Sequence, residues 1–319
     1  LREDAGMHLE MLNGKNFTYL EDDDIIISTD DVTGTFTLTA GGAITEWDSG
    51  MLSSSGDMDA VIKAQSSDGG TYYDITLGSV AASNFDTVSV IGKAVTLVDA
   101  GAIDLGASTV TETYAVTATS GGDITDSGVL NITGAATFTA AAGQSVTLNN
   151  DNIFSGTVTF ATPSGSLKNV EITDTTPLLL SALTLAQVAS AGGNLTVTAG
   201  GAVTNSGTLV IPGTTTISAA GQDVTLNSAN NNFTGAVSIK GEDVGVTDTS
   251  GIILGTSTVT GTTTGYDITA GGTVTQYAGT ALAITGLTTI SAVSGGTKQN
   301  VTLTNASNNF QGGVEITGA

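Results

Sequence analysis

The sequence predicts an all-β chain wound as a parallel β-helix, a β-solenoid of about 20 residues per coil. Three observations lead there: short alternating strands bounded by turn residues, a composition that suits strands and not helices, and an internal repeat carried by several independent markers.

The strands are only about four to six residues long and are separated by Gly, Asn, Asp and Ser. Within them apolar and polar residues alternate. Val224 and Leu226 share one face while Thr225 takes the other, and Val237 and Ile239 flank Ser238 in the same way. The apolar face is expected to point inward, with small residues such as Ala140, Ala219 and Ala292 keeping the interior narrow. The segments 195–214, 215–235 and 236–255 each hold three strands and their turns, the content of one coil. A propeller would need periods of about 40 to 50 residues with their own signatures, which are absent.

Of the 319 residues, 39% are hydrophobic and 12% charged, too apolar and too weakly charged for a disordered chain. Val, Ile, Leu and Ala dominate beside abundant Thr, a set that packs well on a pleated surface. No stretch approaches the roughly 20 apolar residues of a membrane-spanning helix. Residues 1–10 show no charged start leading into an apolar run, so the chain is expected to be a processed product or a fragment. Seven Lys and Arg against 30 Asp and Glu leave a net charge of −23, which repels nucleic acid and anionic membrane surfaces. With no Cys there is neither a disulfide nor a thiolate metal site, and stacking has to supply the stability.

The repeat is visible in three markers. A Gly-Gly turn before a short strand recurs at Gly41-Gly42, Gly121-Gly122, Gly200-Gly201 and Gly271-Gly272, with spacings of 80, 79 and 71 residues. A Val-Thr-Leu strand runs into an Asn-rich turn and then a Phe, at Val146 to Phe154, Val224 to Phe233 and Val301 to Phe310; the Phe spacings are 79 and 77. Val-x-Ile/Val-Thr-Asp stands at 170–174 and 244–248. Residues 1–35 lack these markers and read as an N-terminal cap or junction. Residues 36–319 read as the solenoid, in repeats near 36–113, 114–191, 192–263 and an incomplete 264–319. Asn150, Asn231 and Asn308 are candidates for stacked amide ladders at the turns.

The strings Thr-Ala-Gly-Gly-Ala-Val-Thr at 198–204, Ile-Ser-Ala-Ala-Gly-Gln-Asp-Val-Thr-Leu-Asn at 217–227 and Asn-Asn-Phe-Thr-Gly at 231–235 resemble the repeats of very large bacterial surface proteins of the filamentous haemagglutinin and autotransporter-passenger type. The resemblance covers about residues 36–319. It implies a right-handed parallel β-helix, export across an outer membrane, and an extracellular place on the cell surface of a bacterium. The secretion-domain motifs of that family, Asn-Pro-Asn-Leu and Asn-Pro-Asn-Gly-Ile, are absent, so the chain is expected to belong to the shaft.

The chemistry points the same way. A polysaccharide lyase built on this fold needs a calcium-binding carboxylate cluster with a basic residue beside it, and a hydrolase needs paired acids at a groove. Here Lys15, Lys63, Lys93, Lys168, Lys240 and Lys298 are scattered without a recurring partner, and the sole His8 lies in the cap. No catalytic residue is assigned, and no enzyme is expected. Aromatic residues amount to 5%, which argues against a sugar-stacking groove running along the shaft. The one cofactor candidate is calcium, an ion that takes oxygen ligands, at Asp22, Asp23, Asp24, Asp30 and Asp31; the competing reading of that run is a solvated cap. The function expected is a structural or adhesive shaft segment of a large secreted adhesin. The alternative is a subunit of a self-associating surface filament or lattice, and a lesser one a polysaccharide-binding or -cleaving β-helix. The expected partners are a second copy or a continuation of the chain, and a host-surface or matrix ligand of unspecified identity; nucleic acid and membrane insertion are not expected.

Overall fold

The computed structural model describes residues 7–9, 13–14, 16–27, 30–32, 34–46, 52–53, 58–78, 82–187 and 193–319; of 7–8, 13–14, 30–31 and 52–53 it describes the backbone. The described residues are strand and turn without helix, and their coils stack in parallel as a β-solenoid of about 13 turns, about 22 residues each. Clean coils are near the expected length: Leu195 pairs with Thr215 and Thr215 with Val237, steps of 20 and 22 residues. Turn excursions lengthen others. Between the paired residues Ile44 and Ile75 the chain makes a small hairpin closed by an antiparallel bridge from Gln65 to Tyr72.

The chain forms two compact units, one of residues 1–156 with 161–164 and one of 157–160 with 165–319. In the first, Ile25, Ile44, Ile75, Val95, Tyr114 and Ala136 stand in one register column across successive coils. All six are buried, so each inward position stacks on its counterpart. A second ladder stacks Phe17–Glu21, Gly34–Ala40, Met58–Ala64 and Thr87–Gly92. Two strands of residues 1–35 are therefore ordinary rungs: Phe17–Glu21 lies on Gly34–Ala40, and Ile25–Ile27 on Ile44–Glu46.

Thr87–Gly92 pairs on its other edge with two shorter strands, Ile103–Leu105 and Ser108–Val110. The break falls at Gly106, where a Cβ would meet Ser89 Oγ at 2.2 Å, and Ser108 Oγ fills the gap by accepting the Val90 N–H at 3.1 Å. The next coils carry three short strands each, Ile103–Leu105, Ser108–Val110 and Tyr114–Ala118, then Ile124–Asp126, Leu130–Ile132 and Ala136–Ala140. The second unit repeats the device: Ala236–Gly241 pairs with Ile252–Leu254 and Ser257–Val259, Gly255 sits at the break against Ser238 Oγ, and Ser257 Oγ accepts the Ile239 N–H at 3.3 Å. The string Ile-x-Leu-Gly-x-Ser-Thr-Val, at 103–110 and 252–259, is the sequence of this bend.

In the second unit Leu178–Leu180, Val203–Asn205, Val224–Leu226, Val244–Asp248, Tyr266–Ala270, Thr288–Ser294 and Val314–Thr317 form one continuous parallel ladder. Val170–Asp174, Leu195–Ala199, Thr215–Ser218 and Ala236–Gly241 form another. Long repeat and coil are incommensurate: about 77 residues at about 22 per turn is three and a half coils. Consecutive copies of a marker therefore land in different ladders. Val170–Asp174 stacks on Leu195–Ala199 while its counterpart Val244–Asp248 stacks between Val224–Leu226 and Tyr266–Ala270. Among the described residues, corresponding segments of successive repeats do not stack on one another; what stacks is each coil on its dissimilar neighbour.

Inward and outward faces follow the alternation. Val224 and Leu226 are fully buried with Thr225 exposed, Val237 and Ile239 are buried around half-buried Ser238, and Ala140, Ala219 and Ala292 lie in the core. The Gly-Gly markers answer to coil spacing: a Cβ on Gly41 would lie 2.2 Å from the Asp22 carbonyl oxygen one coil back, and one on Gly271 2.2 Å from that of Thr249.

Candidate functional site

The predicted acidic run forms an exposed turn between Phe17–Glu21 and Ile25–Ile27. Asp24 Oδ1 accepts the Ala43 N–H of the next coil at 2.7 Å; Glu21 accepts the Asp22 N–H and the Tyr19 hydroxyl, each at 3.2 Å. Asp22 and Asp23 point to solvent with Asp24. The backbone of Asp30 and Asp31 belongs to the strand Asp30–Val32, paired with Asn13–Gly14 and Leu52–Ser53, but their side chains, like that of His8, lie outside the described residues. Among the described residues no group of three or more His, Asp or Glu side chains is placed to hold a metal ion.

What the structure gives Asp24 is one place in a recurring corner. At Asp74, Asp123, Asn169, Asn194, Asp223 and Asp243 too, an Asp or Asn stands immediately before the first inward residue of a strand. Its side-chain oxygen accepts the backbone N–H of the residue at the same corner one coil on. The acceptors reach Ala94 at 3.2 Å, Ser145 at 2.7 Å, Asn194 at 2.9 Å, Thr214 at 2.8 Å, Asp243 at 3.2 Å and Gly265 at 2.7 Å. Asp223, Asp243 and Gly265 thus form a continuous column. Sequence reasoning singled out Asp24 only as a calcium candidate and missed the other corner residues, although the signal is plain: Asp or Asn directly before Ile, Val or Leu, such as Asp24-Ile25 and Asp223-Val224. A carboxylate that accepts an N–H closes a turn without a side-chain donor.

A second set of acids is buried. Asp99, Asp174 and Asp248 recur at spacings of 75 and 74 residues and end the strands Val95–Asp99, Val170–Asp174 and Val244–Asp248. Asp99 accepts the N–H groups of Phe85 and Gly101, both at 2.7 Å; Asp248 accepts those of Phe233 at 2.7 Å and Ser250 at 2.6 Å, plus the Ser250 hydroxyl at 2.9 Å. Asp174 holds Thr176 through its N–H at 2.9 Å and its hydroxyl at 2.7 Å. Burial pushes the Asp99 carboxyl up to about 6 against the opposing pull of its two N–H donors, and raises that of Asp248 for the same reason.

Amides, buried at Asn152 and Asn231 and half-buried at Asn308, make a third recurrence. Asn152, Asn231 and Asn308 each stand two residues before the marker Phe, and each Oδ1 accepts the N–H of a Leu in the preceding coil: Leu130 at 2.8 Å, Leu209 at 2.9 Å and Leu282 at 3.0 Å. Each also binds a polar side chain four to six residues before that Leu: Asp126 at 2.7 Å, Asn205 at 3.0 Å, and Gln276 through bonds of 2.7 and 2.9 Å. The expected amide ladders are thus pairs between neighbouring coils. Asn150, expected to match Asn231 and Asn308, sits two residues short of the equivalent place and binds the Asp126 backbone carbonyl instead, at 2.9 Å.

The second unit also bears a groove of about 450 Å³ on its outer surface. Asn194, Thr214, Ala236 and Ile253 line it as one column over four successive coils, each directly before the paired inward residues Leu195, Thr215, Val237 and Leu254. Gly213 and Gly235 border the column without side chains, and Tyr277, 57% exposed, forms a wall.

The stacked coils and side chains bonded from coil to coil define a parallel β-solenoid repeat protein. The chain belongs to the family described as repeats of unknown function (DUF5649), which matches residues 14–91, 92–161, 168–240 and 241–317. No curated protein and no solved structure matches the chain.

Proposed function

We propose that this chain is a shaft segment of a large repetitive protein exported to the surface of a bacterium, where it serves attachment or a surface layer and carries out no catalysis of its own. The observation that carries this reading is where the polar side chains are committed. The corner Asp and Asn residues, the buried Asp99 and Asp248 and the buried amides hold backbone N–H groups of their own turns or of an adjacent coil. Such bonds lock coil to coil and hold turns at fixed angles, which is what a load-bearing rod requires. The resemblance of the repeats to haemagglutinin-type and passenger-type surface proteins supports the location, and the net charge of −23 suits a solvated exterior. The test is antibody labelling of the native host with serum raised against residues 36–319. Intact cells should be labelled as strongly as permeabilised ones; labelling that requires permeabilisation rules the surface reading out.

A further inference from the structure

The turn that bears Tyr277 departs from its own repeat. In the two earlier copies the clasp residue lies four positions before the Leu it serves, Asp126 before Leu130 and Asn205 before Leu209, and is followed by an exposed Ser, Ser127 or Ser206. In the third copy Gln276 lies six positions before Leu282, and the residue after it is Tyr277. Insertions into one copy of a solenoid leave the stack intact and place new side chains on a face. The insertion is rigid: Thr280 donates its N–H at 3.2 Å and its hydroxyl at 2.7 Å to the Tyr277 carbonyl, Gly279 takes φ +80° and Gln276 Nε2 donates to the Thr280 carbonyl at 2.8 Å. An aromatic ring, 57% exposed, is thereby held over a groove at no gain to the core.

We propose that this groove is a binding site for a neutral oligosaccharide, with the Tyr277 ring as stacking platform. Three features of the lining select that chemistry. No charged side chain lines the groove, although the chain carries a net charge of −23, so neither an anion nor a cation is matched. The lining is amphipathic along its length: Tyr277 and Ile253 offer apolar surface at one end, and Asn194 and Thr214 polar groups at the other. There the Asn194 oxygen is occupied by the Thr214 N–H at 2.8 Å and hydroxyl at 3.0 Å, which presents the amide NH₂ and the hydroxyl oxygen outward. A sugar has the matching character, a C–H face for the ring and hydroxyls for the amide. A peptide is disfavoured because the strands beneath already spend their backbone bonds on neighbouring coils and leave no edge to extend. The volume lies within the usual range of ligand sites, roughly 300 to 1,000 Å³, and four coils span about 14 Å, enough for several sugar rings.

The proposal goes beyond the shaft reading and stands or falls separately from it. Cellotetraose, maltotetraose and chitotetraose are titrated into the whole chain by calorimetry, beside tetragalacturonate and a neutral octapeptide. At least one neutral sugar should bind and tetragalacturonate should not. Tyr277→Ala should weaken binding about tenfold or more while Tyr277→Phe, which keeps the ring, holds it within about threefold. Both variants should melt with the unmodified chain, since Tyr277 lies outside the core. Absence of binding by all three neutral sugars, equal binding of tetragalacturonate, no loss in Tyr277→Ala, or Tyr277-dependent binding of the peptide alone overturns the assignment.

Discussion

Replacing Asp99 by asparagine should change stability by an amount that depends on pH, the variant gaining on the unmodified chain as pH rises from 4.5 through 6. The carboxyl is fully buried and titrates at about 6, against 3.8 for the free group. A folded-state pKa above the unfolded value means that the native state holds the proton more tightly. The resulting stabilisation is complete below pH 3.8 and is lost as pH rises through 6. Two pKa units correspond to about 3 kcal/mol, of which about 2 kcal/mol is present at pH 4.5 and almost none at pH 7.5. Asparagine does not titrate, and it offers one oxygen to the two N–H donors of Phe85 and Gly101, a loss of about 1 to 2 kcal/mol relative to the protonated acid. Asp99→Asn should therefore be equal to or up to about 1 kcal/mol less stable than the unmodified chain at pH 4.5 and about 1 to 2 kcal/mol more stable at pH 7.5. Urea denaturation of both proteins at the two pH values, followed by circular dichroism, measures the difference. The many surface carboxylates are common to both chains and cancel. A difference that is the same at both pH values within about 0.5 kcal/mol would refute the claim that burial raises the pKa of this acid.

Leu226→Asp places a charge in the closed interior and should cost several kcal/mol, whereas Thr225→Asp on the outer face should stay within about 0.5 kcal/mol; equal losses in denaturant titration would show the faces misassigned. Asn231→Ala strands the Leu209 N–H and the Leu226 carbonyl, which Asn231 binds at 2.9 and 3.0 Å, and should cost about 2 to 3 kcal/mol, against less than about 0.5 for the exposed Asn230→Ala. If the acidic turn binds calcium, millimolar calcium should raise the melting temperature more than sodium chloride of equal ionic strength, and alanine at Asp22, Asp23 and Asp24 should remove the difference. Identical responses to the two salts would leave Asp24 only its bond to Ala43.

The fold was legible in the sequence because its determinants are local. Alternation at Val224-Thr225-Leu226 states which side chains face inward, Gly and Asn state where strands end, and a coil that stacks on its neighbour needs nothing more than that pattern repeated at nearly the coil length. The corner acids were also written there, as Asp-Ile and Asp-Val pairs, but read as surface charge, since their N–H partner is a backbone group about 20 residues away that no side-chain pattern announces. Tertiary structure alone decided the rest. The long repeat spans three and a half coils, so copies alike in sequence lie in different ladders, and their contacts are with unlike neighbours that the repeat does not specify. For the same reason Asn231 found Asn205 and not another copy of itself, and Tyr277 came to stand beside Ile253 and Ala236 from two coils that share none of its sequence. Strand character is a property of neighbouring residues; a clasp or a groove depends on which coil lies next, and that is set by the number of residues in every intervening turn.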